Sequence, residues 1–307
     1  MQTFKLFSIF GLLLITLITA SCSSNKEIRD QRARGAEQDL YESVQYYLNS
    51  SNWETAIEYL ESMEENFPFG VYAEQAQLDL IYAHFKSNEH DAAIASADRF
   101  IRLHPQHHNV DYAYYMRGIA AFYNQTAFSS AYSSDYTTRD PGAAKDAFNH
   151  FSQLINRYPK SQYVLDAQKR MVYLRNIIAR SEINVANYYF KRGAYTAALN
   201  RGRWVVENMQ TTPAVPDGLA VMAQAYHLMG MNDLSQDAIN VLQHNFPDHP
   251  ALNDGTFDYR FGRDIKRSWL SYATFGIFDK ALYVSFDTRE QYNPFDESIP
   301  NTAPPKS

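Results

Sequence analysis

The segments WETAIEYLESMEENFP (53–68), DAAIASADRFIRLHP (91–105) and AAKDAFNHFSQLINRYP (143–159) decide how this chain is read. Each is an apolar helical stretch closed by a proline, and a fourth stretch closes in the same way at Pro247. Twelve positions before Pro68, Pro105, Pro159 and Pro247 stand Ala56, Ala93, Ala147 and Ser235, all small. A small side chain lets two helices cross at close range. A proline cannot continue a helix interior, so it marks the turn to the next unit. Together these are the marks of the tetratricopeptide repeat.

Working outward, each marked helix has a partner before it. EQDLYESVQYYLNSS places Leu40, Val44 and Tyr47 at helical spacing and precedes the first marked helix, where Ala56, Leu60 and Met63 share a face. QAQLDLIYAHF (75–85) precedes the second. YAYYMRGIAAF (112–122) precedes the third, after an insertion, NQTAFSSAYSSDYTTRDPG. A fourth unit over about 162–212 carries Ala186, Tyr189, Gly193 and Ala198 in register, with Gln210 in place of the closing proline. A fifth, about 214–248, carries Ala223, Tyr226, Gly230, Ser235 and Pro247. The expectation is an all-α, right-handed superhelical solenoid of about five helix-turn-helix repeats spanning 36–250, each packing on its neighbours. The long helix implied by 162–192 is expected to join its two halves.

The flanks read differently. Residues 1–21 have Lys5, an apolar run from Leu6 to Ala20 and small residues before Cys22, the only cysteine. The run is short for a membrane span and suits a signal peptide. The sequence resembles a bacterial lipoprotein signal, with Cys22 as the lipidated residue and 22–35 as a polar tether. Ser23 after the cysteine points to the outer membrane. Two or three acyl chains anchor stably, at roughly 0.8 kcal/mol per buried methylene. Residues 251–307 lack the repeat. IKRSWLSYATFGIFDKALYVSF reads as a capping helix or as a partner- or membrane-surface helix. The polar, Pro-rich end reads as a disordered tail.

Composition narrows the functions. A single cysteine excludes an intrachain disulfide and a Cys-rich zinc site. A net charge of −6 argues against nucleic-acid binding. That mild total hides an asymmetry: residues 37–91 hold twelve acids and one base, a net −11, whereas 169–203 hold eight bases and one acid, a net +7. Fields of this kind orient partners and weaken with salt. No phosphate loop, G-x-S-x-G or H-E-x-x-H is present. His104, His107 and His108 lie at an inter-repeat turn and read as solvated rather than metal-binding. The reading is a protein without catalytic residues, metal or cofactor.

A repeat array works through its concave face, lined by the first helix of each pair. The pattern places Gln38, Tyr41, Gln45 and Leu48 there in the first unit, and Gln75, Leu78, Tyr82 and Phe85 in the second. Amides can bond the backbone of an extended peptide and aromatics can hold its apolar side chains. About half of these positions are expected to pack between helices instead.

Residues 67–118, FPFGVYAEQAQLDLIYAHFKSNEHDAAIASADRFIRLHPQHHNVDYAYYMRG, closely resemble the BamD family, lipoproteins of the outer-membrane β-barrel assembly (BAM) machinery. RDP at 139–141, FSQLINRYPKSQY at 151–163 and Ala186 to Tyr195 extend the resemblance, which covers roughly 22–248. It implies a non-enzymatic, lipid-anchored scaffold on the periplasmic face of the outer membrane. Such a scaffold binds a POTRA domain of BamA, other BAM lipoproteins and the targeting segments of unfolded outer-membrane β-barrel proteins. The amino-terminal repeats are expected to receive substrate and the carboxy-terminal repeats to face BamA. A family arginine in an N-R context aligns with Arg201, and Arg192 and Arg203 of the same basic segment are expected beside it at the BamA contact. A substrate's terminal carboxylate conflicts with the −11 half, so groove contacts must outweigh the repulsion or the carboxylate must point away. Two other readings are a tetratricopeptide pilotin for pilus secretins and a helical peptidoglycan-cleaving enzyme. The enzyme would need a buried catalytic glutamate facing a sugar cleft, which the sequence does not display.

Overall fold

The computed structural model describes residues 34–130, 141–262 and 283–289, including their side chains except at 125–130. The expectations for the leader, Cys22, most of the tether, the middle of the insertion, the stretch up to residue 282 and the polar tail lie outside the described residues. Among the described residues the regular structure is helical apart from one short hairpin, and residues 283–289 are extended. It divides into two compact units, and the division falls after Ala120.

The first unit begins with α1 (34–49), so the helix already includes the last two residues assigned to the tether. It continues with α2 (Trp53–Asn66), α3 (Ala73–Lys86), α4 (His90–Leu103) and the start of α5 (Val110–Ser130). Asn52 caps α2 by accepting the Thr55 N–H, satisfying one of the free donors of the first turn. Ser51 and Asn88 take positive φ at the turns inside the two hairpins. Val44, Ile57, Leu60, Met63, Ala76, Leu80 and Ala83 form one core, with Leu40 and Leu48 against it.

The second unit contains α6 (Gly142–Arg157), α7 (Val164–Arg192), α8 (Tyr195–Asn208), α9 (Val215–Leu228) and α10 (Asn232–Asn245). An antiparallel hairpin follows, β1 (Leu252–Asn253) with β2 (Thr256–Phe257). The 29-residue α7 lies wholly inside this unit, so the boundary falls in α5 and not in the helix expected to join two halves. The insertion is also shorter than read, because α5 runs on to Ser130.

The small-residue and proline rule holds within both units. Ala56, Ala93, Ala147 and Ser235 are all buried, each on the second helix of its hairpin. The residues just before the prolines, Phe67, His104, Tyr158 and Phe246, cap their helices, each donating its N–H to the carbonyl four residues back. Their φ/ψ has left the α region, as a following proline demands. Met209 ends α8 in the same way without a proline, its N–H on Val205. At the α8–α9 crossing the small residues are glycines: a Cβ on Gly202 would sit 2.7 Å from Val221 Cγ1 and 2.8 Å from the Gly218 carbonyl. Ala147→Leu is expected to destabilise the protein by about 1–3 kcal/mol through overpacking. Urea denaturation checks this, while exposed Gln153→Leu on the same helix should change stability little.

Residues 283–289 are extended rather than helical, which corrects the end of the amphipathic helix read over 265–286. Val284 and Phe286 enter the core of the second unit.

Candidate functional site

In the first unit α1 and α3 bring three of the groove residues to a single carboxylate. Tyr41 Oη donates to Asp79 at 3.1 Å, Gln45 at 3.0 Å and Gln75 at 2.8 Å. Tyr41 also stacks on Tyr72, with ring centroids 4.6 Å apart. Burial pushes the Asp79 carboxyl up, although the hydrogen bonds from Gln75, Tyr41 and Gln45 oppose it. Burial and then the charge of Asp79 push the Tyr41 phenol well above the ordinary tyrosine range. Asp79 therefore organises a face of amides and phenol rather than offering an open acid.

The remaining groove residues divide. Gln38 is exposed and bonds Glu42 at 2.9 Å. Tyr82 is partly exposed and meets Trp53 edge-on at 5.8 Å, with Lys86 over both rings. Leu48 and Phe85 are half-buried, Leu48 against the core and Phe85 beside His90. Leu78 is buried and belongs to the interior. Asp79 and Trp53 were not singled out in the sequence. Asp79 follows Gln75 by four positions on α3, the spacing at which helix side chains meet.

A second feature of this unit lies at the turn between its hairpins. A cleft is lined by Arg34, Glu37, Phe67, Pro68, Phe69 and Gly70, among others. The buried Glu37 accepts the Tyr72 N–H at 2.8 Å. Gly70 leaves room for it, since a Cβ there would lie 2.1 Å from Glu37 Oε1. Phe69 is 99% exposed and Val71 78% exposed, an apolar turn presented to solvent.

In the second unit the basic segment is less of a solvated field than its count suggests. Arg170 is buried, bonding Asp166 at 2.6 Å, and Arg180 is buried on Asp217. Arg201 donates to Glu182 at 2.7 Å, and the same buried carboxylate takes Lys145 at 3.3 Å, so one acid ties α6, α7 and α8 together. Arg203 bonds the Tyr226 hydroxyl at 2.9 Å. Arg192 is exposed over the ring of Tyr188. The three arginines thus have separate partners, and Arg201 is partly engaged inside the molecule.

At the α4–α5 turn, Glu74 faces His104 at 3.2 Å and His107 at 3.4 Å. Among the described residues no group of three His, Cys, Asp or Glu is placed to hold a metal ion. None of their helices is long and apolar enough to cross a membrane.

Asp79 gives a prediction with a defined sign. Its folded-state pKa is raised, so the native state keeps the proton to higher pH than the unfolded chain, whose carboxyl titrates at about 3.9. The stability this group contributes is present below that value and is lost as pH rises through the folded value. The stability of the wild type relative to Asp79→Asn should therefore fall between pH 4 and the raised pKa. Urea titrations of both proteins across pH 4–7 check this.

The YfiO family model, an outer membrane lipoprotein family, matches residues 33–242. The outer membrane protein assembly factor BamD of Neisseria meningitidis serogroup A is 43% identical over 214 residues, 69% of this chain and 80% of the relative. The BamD of Vibrio cholerae is 36% identical over 242 residues, 78% of this chain and 99% of the relative. The BamD of Haemophilus influenzae is 32% identical over 236 residues, 76% and 89% of the two.

Proposed function

The chain belongs to the BamD family of outer membrane protein assembly factors, and from that premise we propose that it is a scaffold that makes no bonds itself and holds two kinds of protein partner. It is an outer-membrane lipoprotein, and the acyl chains reside on Cys22. The first unit receives extended targeting segments of unfolded β-barrel proteins, and the second contacts a POTRA domain of BamA and accessory lipoproteins. The observation that carries this reading is the convergence of Tyr41, Gln45 and Gln75 on Asp79, inside a family match that runs through both units.

The chemistry suits an extended peptide. Two amides fixed at one end keep their remaining donor and acceptor capacity for a peptide backbone. Tyr41, Tyr82 and Trp53 offer flat apolar surface to its side chains. Because Asp79 is already taken by three donors, it repels a terminal carboxylate less than an open acid would. Among the acids of α2, Glu54, Glu58, Glu61 and Glu65 are exposed, so solvent screens their charge.

Depletion in the parent cell tests the function. Outer-membrane barrel proteins should fall while lipoproteins outside the machinery persist. Loss of pili with barrel levels intact would contradict the proposal and favour a pilotin.

A further inference from the structure

Residues 283–289, YVSFDTR, lie along α7 and α9 as an extended segment with alternate side chains buried. Val284, Phe286 and Thr288 point inward, and Tyr283 is exposed. This is the period-two pattern of a strand, yet among the described residues no strand pairs with it. Side chains and one loop carbonyl take three of its backbone donors. The Phe286 N–H bonds Asn187 Oδ1 at 3.0 Å, the Ser285 N–H bonds the Phe261 carbonyl at 3.3 Å, and the Thr288 N–H bonds Asp217 Oδ2 at 3.3 Å. The Thr288 hydroxyl donates to Asp217 Oδ1 at 2.9 Å. The Phe286 ring sits 5.7 Å from Phe261, 5.9 Å from Phe257 and 6.1 Å from Phe190.

The groove holds an ion pair of its own, to which the occupant adds Asp287, 3.3 Å from Arg180. Asp217 is 0% exposed and also accepts from Arg180 and from His249 Nε2, at 3.1 Å for the histidine. If the segment left, Asp217 would keep both and lose the Thr288 N–H and hydroxyl, and Arg180 would lose Asp287. A buried charge stays paired, and two acceptor positions open with a neighbouring aromatic pocket. Arg180, Asn187 and Asp217 lie within the family-matched residues 33–242, whereas the occupant lies outside them.

We infer that the α7–α9 face is a receptor for an extended segment with alternating inward residues, aromatic and then hydroxyl, and that residues 283–289 fill it in cis as a detachable ligand. Occupancy in cis lowers the apparent affinity for a second segment by the fraction of receptors left open. The groove and its ligand stand on their own contacts, independent of which partners the two units bind.

The test uses the full chain and a fluorescent peptide of sequence YVSFDTR, followed by anisotropy. A chain carrying Phe286→Ala and Thr288→Val should bind the peptide at least about tenfold more tightly than the wild type. A peptide with the same two changes should not bind. If the peptide binds neither chain while the variant keeps its helical circular dichroism, or binds both chains equally, the inference is overturned. Hydrogen exchange on the unaltered chain decides the matter even if the variant fails to fold. The amides of Phe286 and Thr288 should exchange by local opening, ahead of the α7 and α9 amides. Exchange only together with those helices would make the segment a fixed part of the core and overturn the inference.

Discussion

Asp217→Ala should destabilise the second unit by about 3–5 kcal/mol, the usual cost of removing one partner of a buried ionic network. Asp217 and His249 are both fully buried, and Arg180 is nearly so. Among the described residues the substitution leaves Arg180 with Asp287 and the Pro213 carbonyl, each at 3.3 Å. It also releases His249 Nε2, the Thr288 hydroxyl and the Thr288 N–H. Burial pushes the Asp217 carboxyl up, but the hydrogen bond from His249 and the charge of Arg180 outweigh it and hold it below the usual carboxylate range. Its contribution is therefore present above the unfolded value of about 3.9 and is lost as pH falls through the folded value. Denaturant titration with exchange protection in α7 and α9 measures the loss. A change under about 1 kcal/mol would mean that the network is not coupled to the fold.

The second large effect is expected at Arg201. Arg201→Glu places a second carboxylate beside Glu182, whose side chain is 6% exposed. Arg201 itself is 43% exposed, which screens the pair. A loss of about 1–3 kcal/mol follows, below that of a fully buried pair. BamA should co-purify much less with this variant. The paired change Arg201→Gln with Glu182→Gln separates the two causes, because it removes both charges of that pair, leaves an amide pair between α7 and α8, and releases only Lys145, whose side chain is 45% exposed. If the guanidinium touches BamA, the double variant stays folded and still loses BamA. Unchanged co-purification at moderate salt would count against the contact.

The hairpin repeats were legible because their signal is local. A small residue at a crossing and a proline twelve positions on are both consequences of one hairpin's geometry, and Ala56, Ala93 and Ala147 report it directly. Burial of charge was not legible. Arg180 finds Asp217 37 positions away, so a count of bases across 169–203 cannot tell an interior arginine from a solvated one. Asp79 was hidden for a related reason: it stood in a run of acids, and only the fold brings Tyr41 and Gln45 to it across 38 and 34 positions. The end of the amphipathic stretch misled because apolar residues there fit a helical period as well as an alternating one. The alternation of Val284, Phe286 and Thr288 became decisive only against the groove that receives them.

The central claim is that the two units grip different polypeptides. In-cell photocrosslinking tests it most directly, with a photoreactive residue at Tyr82 on the exposed face of α3 or at Arg192 at the end of α7, and adducts identified by mass. Unfolded barrel proteins are expected from Tyr82 and BamA from Arg192. Adducts of neither class from either site, in cells where the protein is folded and anchored, would contradict it.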